Sequence, residues 1–376
     1  MKIGFVTTFD AREVGHWSGT PYFMVKALEA QGAAVEFIGP LSEKGAAFFK
    51  GKQVFTKLAR GRNYLRHREP VILRDYARQI QRHLDGSRCD VVLSPGSVPV
   101  SYLECRQPVA IWADATFARM QNYYENFSRL TPGSARDGHA AEQRALDRCR
   151  LAVYSSEWAA VSALRDYHLA PEKVCVIPFG ANVPWQLAPA EVDALIQSRP
   201  LDRCRLLFVG IQWPRKGGAI ALDVAKRLNE RGFAVELTLI GSGSEAGLPL
   251  PDYVRSLGYI DKATIEGRRQ MQEEISRTNF LILPARADCS PAVLAEANSL
   301  GVPALAPAVG GIPTILRDGV NGYLLAEAAP AEDYCERIMG CSNYTGLARS
   351  AYREFEKRLN WQTATCDLID KLRQLI

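Results

Sequence analysis

The sequence predicts an α/β protein made of two doubly wound, Rossmann-like domains, and three observations carry that prediction. Its 376 residues exceed what one ordinary core serves. The chain opens strand, loop, helix, strand over 2–8, 9–19, 20–30 and 34–39. A second unit of the same kind starts near Cys204, with strands expected at 205–210 and 235–241 around a helix ending at Asn229. The expected division is 1–184, joined by a final helix of about 359–376, and 185–358.

In order along the first domain, the 9–19 loop ends in Trp17-Ser18-Gly19, and a glycine just before a helix permits close approach of a ligand to the backbone. An ordinary strand-to-helix turn explains Gly19 equally well. Strands are expected at 89–94, 108–113, 151–154 and 173–179. Asp114 follows the second of these directly, which puts it at the carboxyl edge of the sheet. Tyr123, Tyr124 and Phe127 suit the lining of a groove or plain packing. Ser155-Ser156-Glu157 caps a helix. Pro184, Pro189 and Pro200 punctuate what reads as an interdomain linker.

Between Lys50 and Arg82 lie ten Lys or Arg and only two acids, Glu69 and Asp75, interleaved with Phe55, Leu58, Tyr64 and Leu65. This run is a solvated helical face, or a surface for an anionic acceptor or an anionic membrane. The formal charge of +5 is a mild bias that does not argue for nucleic acid. Nine cysteines without a Cys-x-x-Cys pair read as thiols of a cytoplasmic protein, with neither a disulfide framework nor a zinc site. The amino-terminal apolar run is short for a signal peptide, and no run has the length of a membrane span. The expected location is the cytoplasm, with contact to the inner face of the membrane left open.

The second domain carries the densest chemistry. A short strand, 280–283, stops at Pro284, and a turn leads to Pro291, where a helix begins and runs to Leu300. Main-chain N–H groups at Ala292, Val293 and Leu294 would face a phosphate there. Asp288 and Glu296 bracket the helix start, and carboxylates accept hydrogen bonds from sugar and ribose hydroxyls. After the first strand, Arg215-Lys216-Gly217-Gly218 reads as a helix start, a place that disfavours cations unless an anion sits between them. A strand is expected at 257–260, a helix at 264–277, and the strand 235–241 runs into Gly241-Ser242-Gly243.

These motifs resemble the family 4 (group 1) retaining glycosyltransferases of the GT-B fold. The family's Glu, seven residues, Glu pattern is met by Asp288 and Glu296, followed by the Gly310-Gly311 turn. Its Gly-Arg, four residues, Lys-Gly pattern is met by Gly210 and Lys216-Gly217; Ile211 stands for the usual Arg, and Arg215 supplies a charge beside the lysine. The resemblance implies two domains facing across a cleft, a last helix opened by Trp361 that crosses back to the first domain, and a nucleotide-sugar substrate.

It also implies roles. Arg215 and Lys216 would hold the diphosphate, Asp288 the donor sugar and Glu296 the ribose. Gly19, Gly210, Gly241, Ser290, Pro291, Ala292 and Val293 would line the donor, with Tyr259 and Ile260 beside the base and Asp114 near the sugar. Retention would proceed by front-face attack within an ion pair. No Asp-x-Asp occurs in the chain, so metal-independent chemistry without a cofactor is expected. The acceptor would be a sugar, a small molecule or a lipid-linked molecule. Alternatives are a membrane-surface transferase on a lipid-linked or anionic acceptor, a sugar-nucleotide epimerase using Asp114 and His139, and a non-catalytic nucleotide-sugar binding protein.

Overall fold

A computed structural model of the protein describes residues 1–241 and 250–376. Ser242 and Gly243 of the expected glycine turn lie outside the described residues. The chain divides into two compact units, 1–178 with 365–376, and 179–364.

The first unit holds strands β1 (Lys2–Val6), β2 (Ala34–Ile38), β3 (Val91–Ser94), β4 (Val109–Ala113), β5 (Leu151–Tyr154) and β6 (Val174–Val176). They form one sheet in the order β2-β1-β3-β4-β5-β6, and the pairings are parallel. β3, β4 and β5 are buried along their whole lengths, as parallel strands covered by helices on both faces must be. Helix Thr20–Ala30 lies where the sequence predicts it, entered through Gly19 at φ +92 and Pro21 in its first turn.

The second unit repeats the plan with β7 (Cys204–Gly210), β8 (Val235–Gly241), β9 (Val254–Ser256), β10 (Phe280–Ile282), β11 (Ala304–Pro307) and β12 (Gly322–Leu325). The sheet order is β12-β11-β10-β7-β8-β9, again parallel. The chain starts in the middle at β7, winds outward through β8 and β9, then returns to β10 on the other side. β7 and β10 therefore flank the point where the winding reverses, which in open α/β sheets opens a crevice at the carboxyl ends.

Several expectations change. The Pro-rich stretch read as a linker contains helix Pro189–Ser198, whose Val192 and Ile196 pack on Ala348 and Tyr352 inside the second unit. Pro189 stands in its first turn and Pro200 just past its end, so these prolines bound a packed helix rather than a free connection. The strand expected at 257–260 is displaced to Val254–Ser256, and 257–260 is the loop that leaves it. The strand expected at 173–179 shrinks to β6.

The basic run does not form one surface. Helix Ala46–Arg60 is followed by a turn, Arg66–Arg68, and by helix Pro70–Asp85. Arg66 pairs with Glu43, and Arg68 is buried, 3.8 Å from Glu142 and 4.6 Å over the Phe117 ring. Burial pushes the Glu142 carboxyl up, against the Arg68 charge that lowers it. Arg78 turns back onto Asp75, and Arg62 donates to the Leu130 carbonyl. The 46–60 helix keeps a basic, outward face, and Arg74, Arg78 and Arg82 are exposed on helix Pro70–Asp85.

Gly138 in helix Pro132–Arg148 faces the same Phe117 ring, and a Cβ there would fall 2.2 Å from the ring. Alanine is preferred to glycine in a helix by about 1 kcal/mol. Overpacking against a fully buried ring costs about 1–3 kcal/mol, so the steric effect wins. Gly138→Ala is expected to lower stability in urea unfolding; a gain in stability would contradict this packing.

Candidate active site

β7 and β8 run in register from Cys204↔Val235 to Gly210↔Gly241, so both strands end side by side in glycine. The arrangement leaves no room for side chains. A Cβ on Gly241, at φ +110, would meet the Gly210 carbonyl oxygen at 2.3 Å, and one on Gly210 would press on the Lys216 stem at 2.9 Å. The main chain after Gly210 forms a one-turn helix, Trp213–Lys216, reverses at Gly217 with φ +78, and starts helix Gly218–Glu230. A Cβ on Gly217 would lie 1.9 Å from the Pro284 carbonyl oxygen, which brings the β7 turn hard against the β10 turn.

Arg215 and Lys216 end the one-turn helix and stand directly before Gly217, the cap of helix Gly218–Glu230, so the pair sits at the start of the long helix as expected. A carboxylate faces the pair there. Lys216 Nζ donates to Asp288 Oδ2 at 2.5 Å, and Arg215 Nη1 lies 3.6 Å from the same oxygen while donating to the Ala287 carbonyl at 2.6 Å. The two turns are also stitched by main chain, Arg286 N–H to the Arg215 carbonyl at 2.8 Å. Asp288 is 6% exposed, and its carbonyl accepts from the Gly311 N–H at 3.1 Å. Gly310, at φ +55, allows that turn.

One step further, helix Ala292–Asn298 carries Glu296, which is 2% exposed. Lys262 Nζ donates to its Oε1 at 2.7 Å. Lys262 sits in the loop leaving β9, two residues before the Thr264 cap of helix Ile265–Ser276. Sequence reasoning missed it: a single lysine, 34 residues from its partner, carries no local pattern. Its only signal was position, just past the loop expected to flank a base.

The structure brings Gly210, Arg215, Lys216, Gly241, Asp288, Ser290, Pro291, Ala292, Val293 and Glu296 to the carboxyl edge of one sheet. Tyr259, exposed, and Ile260, buried, occupy the loop after β9, tied to β8 by the Gly241 N–H on the Gly258 carbonyl at 2.8 Å. Gly19 and Asp114 belong to the first unit, the latter directly after β4. His139 is held by the Tyr167 hydroxyl at 3.0 Å and the Gln121 amide oxygen at 2.9 Å. Among the described residues, Lys216 and Arg215 face Asp288, and Lys262 faces Glu296.

Comparison with known proteins agrees with this picture. Residues 203–342 match the family model described as Glycosyl transferases group 1. A D-inositol 3-phosphate glycosyltransferase of Streptomyces scabiei is 31% identical over 202 residues, 50% of this chain and 44% of that protein. One from Xylanimonas cellulosilytica is 23% identical over 69% of this chain and 64% of its own length. The chain spans about half the length of the curated relatives it matches. Among solved structures, sucrose-phosphate synthase from Thermosynechococcus elongatus superposes with a TM-score of 0.70 at 17% identity, over 100% of this chain and 99% of its own. Anabaena HepE, solved in complex with UDP and glucose, gives 0.64 at 16% identity, over 100% of both chains. The fold is GT-B.

Lys262→Met leaves the buried Glu296 carboxylate without its partner. We expect a loss of about 1–3 kcal/mol of stability, and Lys262→Met combined with Glu296→Gln is expected to recover most of it. Thermal unfolding checks this, and a single variant as stable as wild type would remove Lys262 from the site.

Proposed function

We propose that this chain, which carries a glycosyl transferases group 1 domain at residues 203–342, moves a sugar from a nucleotide-sugar donor to an acceptor with retention at the anomeric carbon and without a divalent ion. The observation that carries the reading is the Lys216–Asp288 pair at the reversal point between β7 and β10, with Lys262–Glu296 beside it. A crevice with two carboxylates, each paired with a lysine, suits a ligand that is anionic at one point and rich in hydroxyls elsewhere.

Donor binding would divide the ion pairs. The diphosphate would take Lys216 and Arg215 as partners, and the released Asp288 would accept a hydroxyl of the sugar. Glu296, held in place by Lys262, would accept the ribose hydroxyls. The glycine-ended strands at Gly210 and Gly241 would let the nucleotide lie against main chain.

In the transfer step the bond from anomeric carbon to diphosphate oxygen breaks and both electrons leave with the diphosphate. Lys216 and Arg215 would meet that growing charge from a turn already fixed by the Ala287 carbonyl and by the Arg286 N–H on the Arg215 carbonyl. The acceptor hydroxyl attacks from the same face, its proton passing to the departing phosphate oxygen. The acceptor is a sugar, a small molecule or a lipid-linked molecule presented at an anionic membrane surface. The UDP and glucose bound by HepE make UDP-glucose the first donor to test.

The test is donor turnover measured as UDP release with an acceptor panel. Lys216→Met is expected to lower the rate by about 10²–10³-fold, Glu296→Gln to weaken donor binding, and EDTA to change neither. Wild-type turnover in Lys216→Met would overturn the site, and strict dependence on a divalent ion would overturn the metal-independent step.

A further inference from the structure

Helix Ala46–Arg60 has two outer sides. Phe49 and Thr56, seven residues apart, are its buried residues. Phe48, Val54, Phe55 and Leu58 are 72%, 58%, 63% and 81% exposed. Elsewhere in the described chain, large apolar side chains this exposed are scattered singly, as on most protein surfaces. Four on one helix form a patch.

The spacing arranges them. At about 3.6 residues per turn, Phe48, Phe55, Leu58 and Val54 fall in one continuous stripe, and Ala47 and Gly51 fill its gaps. Lys52 borders the stripe on one side, and Lys50 and Lys57 border it on the other. The helix has no acidic residue, and Lys44 precedes it. Lys52 and Lys57 are anchored, to Glu69 at 2.8 Å and to the Asn63 side chain at 3.0 Å. Lys44, Lys50 and Arg60 are exposed and make no ion pair among the described residues. An apolar stripe between rows of lysine fits a surface that is apolar beneath an anionic layer, with the lysine stems lying along the boundary. A protein partner would need acids on both sides of an apolar ridge; a bilayer supplies that layering everywhere.

We propose that the outward face of helix Ala46–Arg60 docks the protein on an anionic lipid bilayer, with Phe48, Val54, Phe55 and Leu58 entering the boundary between headgroups and acyl chains. The inference rests on the proposed function only for what the bilayer would present, a lipid-linked acceptor. Anionic lipid contributes through Lys44 and Lys50, and the apolar stripe holds the helix once there.

Sedimentation of the full chain with vesicles tests this directly. Binding to vesicles containing phosphatidylglycerol should exceed binding to pure phosphatidylcholine by about tenfold and fall steeply toward about 0.5 M salt. Phe55→Ser with Leu58→Ser should lose most binding, as should Lys44→Ser with Lys50→Ser, while far-UV circular dichroism and UDP release without vesicles stay unchanged. Equal binding to the two vesicles, or binding untouched by the Phe55 and Leu58 changes, overturns the proposal. So does a dimer that those changes dissolve in the absence of vesicle binding. Vesicle binding that persists where wild type shows no response to any nucleotide sugar supports the docking face and counts against the proposed function alone.

Discussion

Lys216 and Asp288 meet at 2.5 Å across the reversal point of the second sheet, and much of that unit is arranged so that they can. The two residues come from turns after different strands. Bringing those turns together requires glycine at 210, because a side chain would displace the lysine, and glycine at 217, because a Cβ would strike Pro284. It also requires the Gly310-Gly311 turn, whose second N–H holds the Asp288 main chain. A buried pair of this kind is no strong source of stability, since desolvating two charges consumes most of what their attraction returns. What it provides is a lysine fixed before any ligand arrives, and a carboxylate that a stronger anion can displace.

The second pair follows the same logic at a different depth. Glu296 is almost fully buried on a short helix, and a carboxylate there needs a partner. Lys262 reaches it from the loop after β9, so the wall beside Tyr259 and Ile260 is tied by charge to the helix after β10. Nucleotide, ribose and diphosphate would thus contact the turns after β7, β9 and β10 at one sheet edge.

Much of this was legible in the sequence because it depends on local pattern. Buried parallel strands read as apolar runs, and β5, β8 and helix Thr20–Ala30 have the predicted limits. The spacing of Asp288, Glu296, Gly210 and Lys216 survives in any reading of the chain. What failed depended on tertiary choice. Prolines at 184, 189 and 200 look alike in a linker and at helix ends, and only the packing of Val192 and Ile196 separates the two. The charge run 50–82 reads as one patch, yet Arg66 and Arg68 turn inward to Glu43 and Glu142, carboxylates distant in sequence. Arg215-Lys216 reads as a helix start and does stand directly before the Gly217 cap, but nothing local reveals the one-turn helix ahead of it. Lys262 gave no sign, since its meaning lies wholly in Glu296.

The central claim is that a diphosphate, rather than a nucleoside alone, is what the Lys216–Asp288 crevice recognises. The most direct measurement is the thermal shift produced by UDP, UMP and uridine at matched concentration, in wild type and in Lys216→Met. A ligand that binds only the folded protein raises the midpoint with its affinity. The account predicts a clear shift from UDP, a smaller one from UMP, and loss of the difference in Lys216→Met. Equal shifts from UDP and UMP in wild type, or a UDP advantage that survives Lys216→Met, would contradict it.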